Sequence, residues 1–575
     1  MANTLVIDRV QEAYLRPIRS VLVVDDDFHQ YGAVTPGKDA ERARALWRAC
    51  RALGYLCDID DGAGLINGQE PAYVGKSDLI ILDYHLQGND PKWALQLLCK
   101  LAPSDHANIV VVYTKDPNLN DVQLKIAAHL RGRLQTVELC VSAEVQDHWD
   151  RVESKISQRP TAELFMDYLK GNIRACKTDR PLLEELDALG VPKPLQSGVA
   201  RAFYESELLG LIAGNAAPRS ETEIQLGGGG DNIPPWIYTN NLFVACVQKT
   251  DHDLIDGVPV FDALKVALCD WQPDFMVSAI AYARAEFSRG GFHLERSALS
   301  DPKLKSAWLF HAWSGDREEQ SGRLRELFER LIASYSARVL DRTIEFGAAH
   351  VPECVSPGDG QETLKAAIKY FNGDQTELEN GVIHALNEFL VIEELPRFVE
   401  TGTIFSRLSG GPEPKEVYVC VTPACDLVPR QPRTGTWEHK IHPARAVIAI
   451  RAVMTDATRA HLCKAEENRM VFLRVAGKIK AITLVGDKPP VPTLEWLFLE
   501  DMGRITDGKL FAMEVGKQTP AELDGSTHAS LNFVPSEMKA LGQIRAIYSS
   551  RILQYAGQHL ARIGVDFVSY PANRL

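Results

Sequence analysis

The chain has 575 residues, of which 45% are hydrophobic and 24% charged, and carries a formal net charge of −13; this is the balance of a globular protein of several domains. The acidic excess argues against broad electrostatic binding of nucleic acid, and no apolar run approaches the length of a membrane span. The eleven cysteines, an odd number scattered without paired spacing, read as small buried hydrophobes in a reducing compartment rather than as a disulfide frame.

The N-terminal stretch MANTLVIDRVQEAYLRP lacks the basic-then-apolar layout of a secretion signal, so a cytoplasmic location is expected. From residue 19 strand and helix signals alternate. VLVVD (21–25) is a short β-branched run. AERARALWRACRALG (40–54) places Ala43, Leu46, Cys50 and Leu53 on one helical face, with Gly54 as a stop. YLCDI (55–59) reads as a second strand and DLIILD (78–83) as a third, apolar throughout like a strand covered on both faces. PKWALQLLCKLA (91–102) opens a helix on Pro91. NIVVVYT (108–114) is a fourth strand, DVQLKIAAHL (121–130) a helix, TVELCV (136–141) a fifth strand, and VQDHWDRVESKI (145–156) a closing helix. Such alternation through short links predicts a doubly wound parallel α/β sheet of five strands over residues 1–158.

Residues 159–400 carry mainly helical periodicity. The exception is GGGGDNIPPWIYTNNLFVACVQK, where a glycine-rich loop precedes a strand signal over 236–249. From residue 401 to 575 the short runs GTIF, EVYVCVT, RAVIAIRAV, MVFLRVA and AITLV predict a small β-rich module, followed by an amphipathic helix and a last strand.

Three of the N-terminal strands end in distinctive side chains. The first runs into Asp25, Asp26 and Asp27, the third ends in Asp83, and the fourth ends in Thr114. Ligands collect beyond the carboxyl ends of the strands in an open parallel sheet. If the first and third strands are neighbours, their carboxylates meet, and a hard divalent cation, Mg2+ above all, would relieve their repulsion. These residues resemble the receiver domain of bacterial response regulators, over about the first quarter of the chain. The resemblance implies that Asp25 and Asp26 are the metal-binding acidic pair, with Asp83 completing the metal site. It implies that Asp83 is the phosphoacceptor and Thr114 the hydroxyl that meets the phosphoryl group. It also implies a lysine at the end of the fifth strand. The region read as that strand, LQTVELCVSAE (134–144), has none, which leaves Lys115 as a substitute, although neighbouring strand residues point to opposite faces. FHQYGAVTPGKD (28–39) delays the first helix and leaves from the rim of the acidic site.

Elsewhere the signals are weaker. Lys249, at the end of NLFVACVQK, follows the glycines without the Gly-Lys-Ser/Thr of a phosphate-binding loop, so a linker and a core strand are the default. Cys425 and Asp426 follow a strand, with His439 and His442 in reach by sequence, and Cys420 with Cys425 would make half a zinc site. The resulting expectation is a signalling protein, a phosphoacceptor rather than a catalyst of an external reaction. A histidine kinase or GHKL-type ATPase would act upstream, and protein partners would engage the C-terminal modules, as in bacterial stress or anti-phage systems. The alternatives are a phosphorylation-independent pseudo-receiver scaffold and a receiver-regulated enzyme with a site near Cys425.

Overall fold

The computed structural model describes residues 2–28, 39–66, 74–104, 108–132, 142–212, 224–251, 257–290, 301–313, 339–350, 360–371, 381–408, 414–427, 434–516 and 519–560, with residues 320, 324, 328, 332 and 336 singly. Positions 87, 89, 231, 240, 468, 487–490, 524–525 and 531 are excepted. The chain forms two compact units, Met1–Leu294 with Ile332–Glu353, and Glu295–Leu331 with Cys354–Leu575.

In the first unit the early strands fall where the apolar runs place them: β1 (Ser20–Val24), β2 (Leu56–Asp60), β3 (Leu79–Asp83) and β4 (Asn108–Thr114). Three more follow much later: β5 (Ile224–Gly227), β6 (Trp236–Thr239) and β7 (Leu242–Gln248). They join one seven-stranded sheet of order β2-β1-β3-β4-β7-β6-β5. β2, β1, β3, β4 and β7 are parallel, whereas β6 and β5 run antiparallel at the far edge. The five-stranded, wholly parallel sheet expected from sequence is therefore corrected to seven strands and a mixed pattern. The sheet also continues well past residue 158, the expected boundary of the domain. The segment TVELCV (136–141), read as the fifth strand, lies outside the described residues; the neighbour of β4 opposite β3 is β7.

Helices cover both faces of the sheet. The first ones are α1 (Ala2–Val10), α2 (Ala40–Ala52), the single turn α3 (Ala63–Ile66), α4 (Lys92–Leu101) and α5 (Leu119–Arg131). Between α5 and β5 the chain inserts α6 (Ala143–Val152), α7 (Ala162–Leu169), α8 (Arg180–Ala188) and α9 (Lys193–Leu211), and after β7 it adds α10 (Val258–Trp271). Strand alternation divides the core cleanly. Leu22, Val24, Ile80, Leu82, Val110 and Val112 pack with α4, α5 and the inserted helices. Val21, Val23, Leu79, Ile81, Val111 and Tyr113 pack with α2 and α10. Each fully buried Val or Leu contributes roughly 1.5–3 kcal/mol, so burial on both faces fixes the register. On α2 the expected face holds for Ala43, Leu46 and Cys50, but Leu53 is exposed at the helix end.

The second unit contains β8 (Ile392–Glu393), β9 (Thr403–Arg407), β10 (Glu416–Cys420), β11 (Arg445–Asp456), β12 (Met470–Val475), β13 (Lys478–Thr483), β14 (Thr493–Leu499), β15 (Lys509–Val515), β16 (Thr519–Leu523), β17 (Ser526–Ser530) and β18 (Phe533–Ile544). The path β10-β9-β18-β15-β14-β11 closes on itself because β11 pairs again with β10, which makes a six-stranded barrel. β13 and β12 extend one side, β8 adds to β18, and β16 and β17 form a separate hairpin. Phe405, Tyr418, Cys420, Val447, Leu497, Leu510 and Met538 share one core. The amphipathic helix expected near the end is present as Ala546–Leu560; the last strand expected after it lies outside the described residues.

Candidate functional site

β1 and β3 are parallel neighbours in a register that sets Val24 beside Leu82, so the residues that follow, Asp25 and Asp83, emerge together at the carboxyl end of the sheet. Asp25 is 1% exposed and Asp83 7%. Asp26 is half-buried. One carboxylate oxygen from each of the three lies within 4.8 Å of the others, and among the described residues no other cluster of metal-ligating side chains meets that spacing.

A fourth group completes the pocket. β7 lies parallel to β4 with Gln248 opposite Thr114, and the Lys249 N–H donates to the Thr114 carbonyl at 2.7 Å. The Lys249 side chain, 2% exposed, runs between the acidic residues. Its Nζ is 2.8 Å from Asp25 Oδ2 and 3.0 Å from Asp83 Oδ1. The rings of Phe28 and Tyr113 wall the ammonium at 5.9 and 5.5 Å. The other Asp25 oxygen accepts the Asp27 N–H at 3.0 Å.

Three clustered carboxylates, two of them paired with one buried ammonium, leave a net negative charge at the pocket. Burial pushes the Asp25 carboxyl up, Lys249 pulls it back and Asp83 pushes it up again, leaving it at about 7. The donor set suits a small hard cation: all its ligands are carboxylate oxygens and its uncompensated charge is negative.

Thr114 is fully buried, and its hydroxyl oxygen accepts the Asp116 N–H at 3.1 Å. Lys115 points elsewhere. Its Nζ is 3.0 Å from Asp27 and 3.8 Å from Asp39, and its side chain is 58% exposed. It is therefore no substitute for a lysine at Asp83; that place is held by Lys249. Strand alternation explains the difference, since Thr114 and Lys115 leave β4 on opposite sides. At the rim, Arg42 of α2 donates to Asp39 (2.9 Å), to the Tyr113 hydroxyl (3.2 Å) and to the Thr250 carbonyl (2.6 Å). Residues 29–38, which make up most of the segment leaving this rim, lie outside the described residues.

Residues 17–163 match a family model described as the response receiver domain. The N-terminal part of this chain is a receiver domain. That family supports response-regulator-like, two-component signalling, and receivers usually bind Mg2+ in an acidic pocket and interact with histidine kinases. No curated protein and no solved structure matches the chain. The matched span ends before β7, so the lysine that enters this receiver's pocket lies outside it. A sequence signal for that residue exists: VACVQK is an apolar run ending in a lone lysine and followed by a helix.

The C-terminal candidates do not converge in the same way. Cys425 and Asp426 are exposed neighbours, with Sγ 3.5 Å from the adjacent Oδ1. His439 and His442 are exposed, and among the described residues no hydrogen bond joins either of them to Cys425, whose thiol bonds to Asp426. Cys420 is buried in the barrel core, and burial pushes its thiol up to about 11. Cys420 and Cys425 thus face different surroundings, and among the described residues no metal-ligating cluster includes them. No described helix is long and apolar enough to cross a membrane.

Proposed function

We propose that the receiver accepts a phosphoryl group on Asp83, with Mg2+ held by Asp25, Asp26 and Asp83, and that this controls the remainder of the chain. The observation that carries the reading is the position of Lys249 Nζ, within 3.0 Å of both Asp25 and Asp83. An ammonium placed against the acceptor oxygen can pass to the phosphoryl group once that group arrives.

The donor is a phosphohistidine of a histidine kinase or of a GHKL-type ATPase. A carboxylate oxygen of Asp83 attacks phosphorus. The O–P bond forms, the N–P bond breaks, and its electron pair returns to the imidazole. Bound Mg2+ would neutralise charge that builds on the phosphoryl oxygens. Lys249 takes one of these oxygens and the Thr114 hydroxyl another, while Asp25 and Asp26 hold the cation. The new dianion pulls on Lys249 and Thr114, which belong to adjacent strands, and so reaches β7 and the chain beyond it. The output is a protein contact made by residues 159–575, in a bacterial stress or anti-phage setting.

The reading of a phosphorylation-independent scaffold rested on a missing lysine and on the segment 28–39 that delays the first helix; the position of Lys249 answers the first of these and favours the phosphoacceptor. The test is the intact mass of the full chain after incubation with Mg2+ and acetyl phosphate. Wild type gains one phosphoryl group, removable by hydroxylamine, and Asp83→Asn gains none. No gain in wild type, or an equal gain in the variant, rejects the proposal.

A further inference from the structure

Two thiols meet on the opposite side of the receiver from the inserted helices. Cys50 lies on the buried face of α2, 0% exposed, in the same core as Leu46. Cys57 lies on the edge strand β2, in register with Val21, on the sheet face that α2 covers. The connection between them is tight. Gly54 takes a positive φ of 83°, and the Tyr55 N–H donates to the Cys50 carbonyl at 2.8 Å. This turn folds the edge strand back under its helix, so that Cys57 packs against the core that holds Cys50.

The two thiols are not equivalent. Cys57 is half-exposed and Cys50 is not. The hydrogen bond from Cys50 lowers the Cys57 thiol below its ordinary value, outweighing burial, and the same contact raises Cys50. An accessible, acidified thiol backed by a buried one is the arrangement of a redox-active dithiol. Neither residue takes part in the acidic pocket.

We propose that Cys50 and Cys57 form a reversible disulfide when the protein meets a low-molecular-weight disulfide such as oxidised glutathione. The Cys57 thiolate attacks one sulfur of the oxidant, forming a mixed disulfide and releasing one glutathione thiolate. Cys50 then gives up its proton and attacks the Cys57 sulfur, releasing the second glutathione. The balance is two protein thiols and one disulfide in, one protein disulfide and two glutathione thiols out. The bond ties the C-terminal end of α2 to the sheet edge; the N-terminal end of the same helix carries Arg42 at the rim of the pocket.

The full-length protein is incubated with oxidised glutathione and digested without reduction, and its peptides are mapped by mass. The expected result is a Cys50–Cys57 linkage that dithiothreitol removes. In Cys50→Ser, Cys57 is trapped as the glutathione adduct; in Cys57→Ser, no linkage and no adduct at Cys50 form. Exposed Cys425 and Cys463 serve as internal references, and Cys57 reacts ahead of both at limiting oxidant. Absence of the linkage in wild type, or a Cys57 that reacts no faster than Cys425 and Cys463, overturns the proposal.

Discussion

The receiver pocket and the barrel each bury a carboxylate against a cation, with opposite outcomes. In the barrel, Glu514 accepts from Arg407 Nε at 2.8 and 2.9 Å, from Arg407 Nη2, and from the Tyr418 hydroxyl at 3.3 Å. Burial pushes Glu514 up, but its bonds from Arg407 and Ser536 outweigh that and hold it below the usual range. In the receiver, Asp25 also has a cation at 2.8 Å, yet its carboxyl rises to about 7. The difference is the deeper burial of Asp25 first, and the count of partners second. Arg407 is hydrogen-bonded to one carboxylate, whereas Lys249 is shared between Asp25 and Asp83, with the Asp26 carboxylate in the same cluster. A balanced pair holds a barrel together; an unbalanced cluster invites another cation, and such clusters mark sites of chemistry.

The largest effect is expected at Lys249. Lys249→Ala leaves two buried carboxylates facing each other, and about 3 kcal/mol of stability should be lost from the receiver unit, largely restored by millimolar Mg2+. Denaturant unfolding with and without Mg2+ measures it; a loss that Mg2+ does not touch would count against an acidic site lacking positive charge. Arg407→Ala is smaller, about 1 kcal/mol, because the guanidinium is 54% exposed and solvent screens it. Added Mg2+ should leave that loss unchanged.

The pH dependences should have opposite signs. Asp25 binds its proton more tightly in the folded chain than at its ordinary value of 3.8. The folded receiver therefore holds more protons than the unfolded chain between about pH 4 and pH 7, and stability from this group falls as pH rises through that window. Mg2+ binding should strengthen over the same window, as Asp25 ionises. Glu514, lowered from 4.5, contributes stability present above that value and lost as pH falls through its folded pKa. Unfolding followed from about pH 2 to pH 8 by a probe in each unit separates the two. Lys115→Ala should matter least, within about 0.5 kcal/mol, as an exposed pair.

Much of the receiver could be read from sequence because its strands announce themselves. LVV, LIIL and VVVY are continuous apolar runs, and a strand covered on both faces has no other pattern. Asp25, Asp83 and Thr114 stand at their ends, so the carboxyl rim was legible too. The partner of β4 was not. Sequential strands are usually neighbours, and TVELCV offers a strand pattern close at hand. The structure instead inserts α6 to α9 and the antiparallel pair β5 and β6 before β7 takes that edge. Periodicity reports that a segment is a strand but not which edge it joins. Lys249 was therefore visible as the end of a strand and invisible as part of the pocket. The meeting of Cys50 and Cys57 was hidden for a related reason, since it depends on how α2 lies over the edge of the sheet. In the barrel the strands were legible, but closure of β10 on β11 depends on non-local pairing.

In the proposed reaction Lys249, entering from a distant strand, is the cation that meets the phosphoryl group. The most direct measurement is binding of beryllofluoride, a phosphoryl mimic, in the presence of Mg2+ by wild type, Lys249→Ala and Lys115→Ala, followed by fluorine NMR. Binding by wild type and Lys115→Ala, with loss or strong weakening in Lys249→Ala, is the expected result. Undiminished binding in Lys249→Ala, or loss confined to Lys115→Ala, would contradict it.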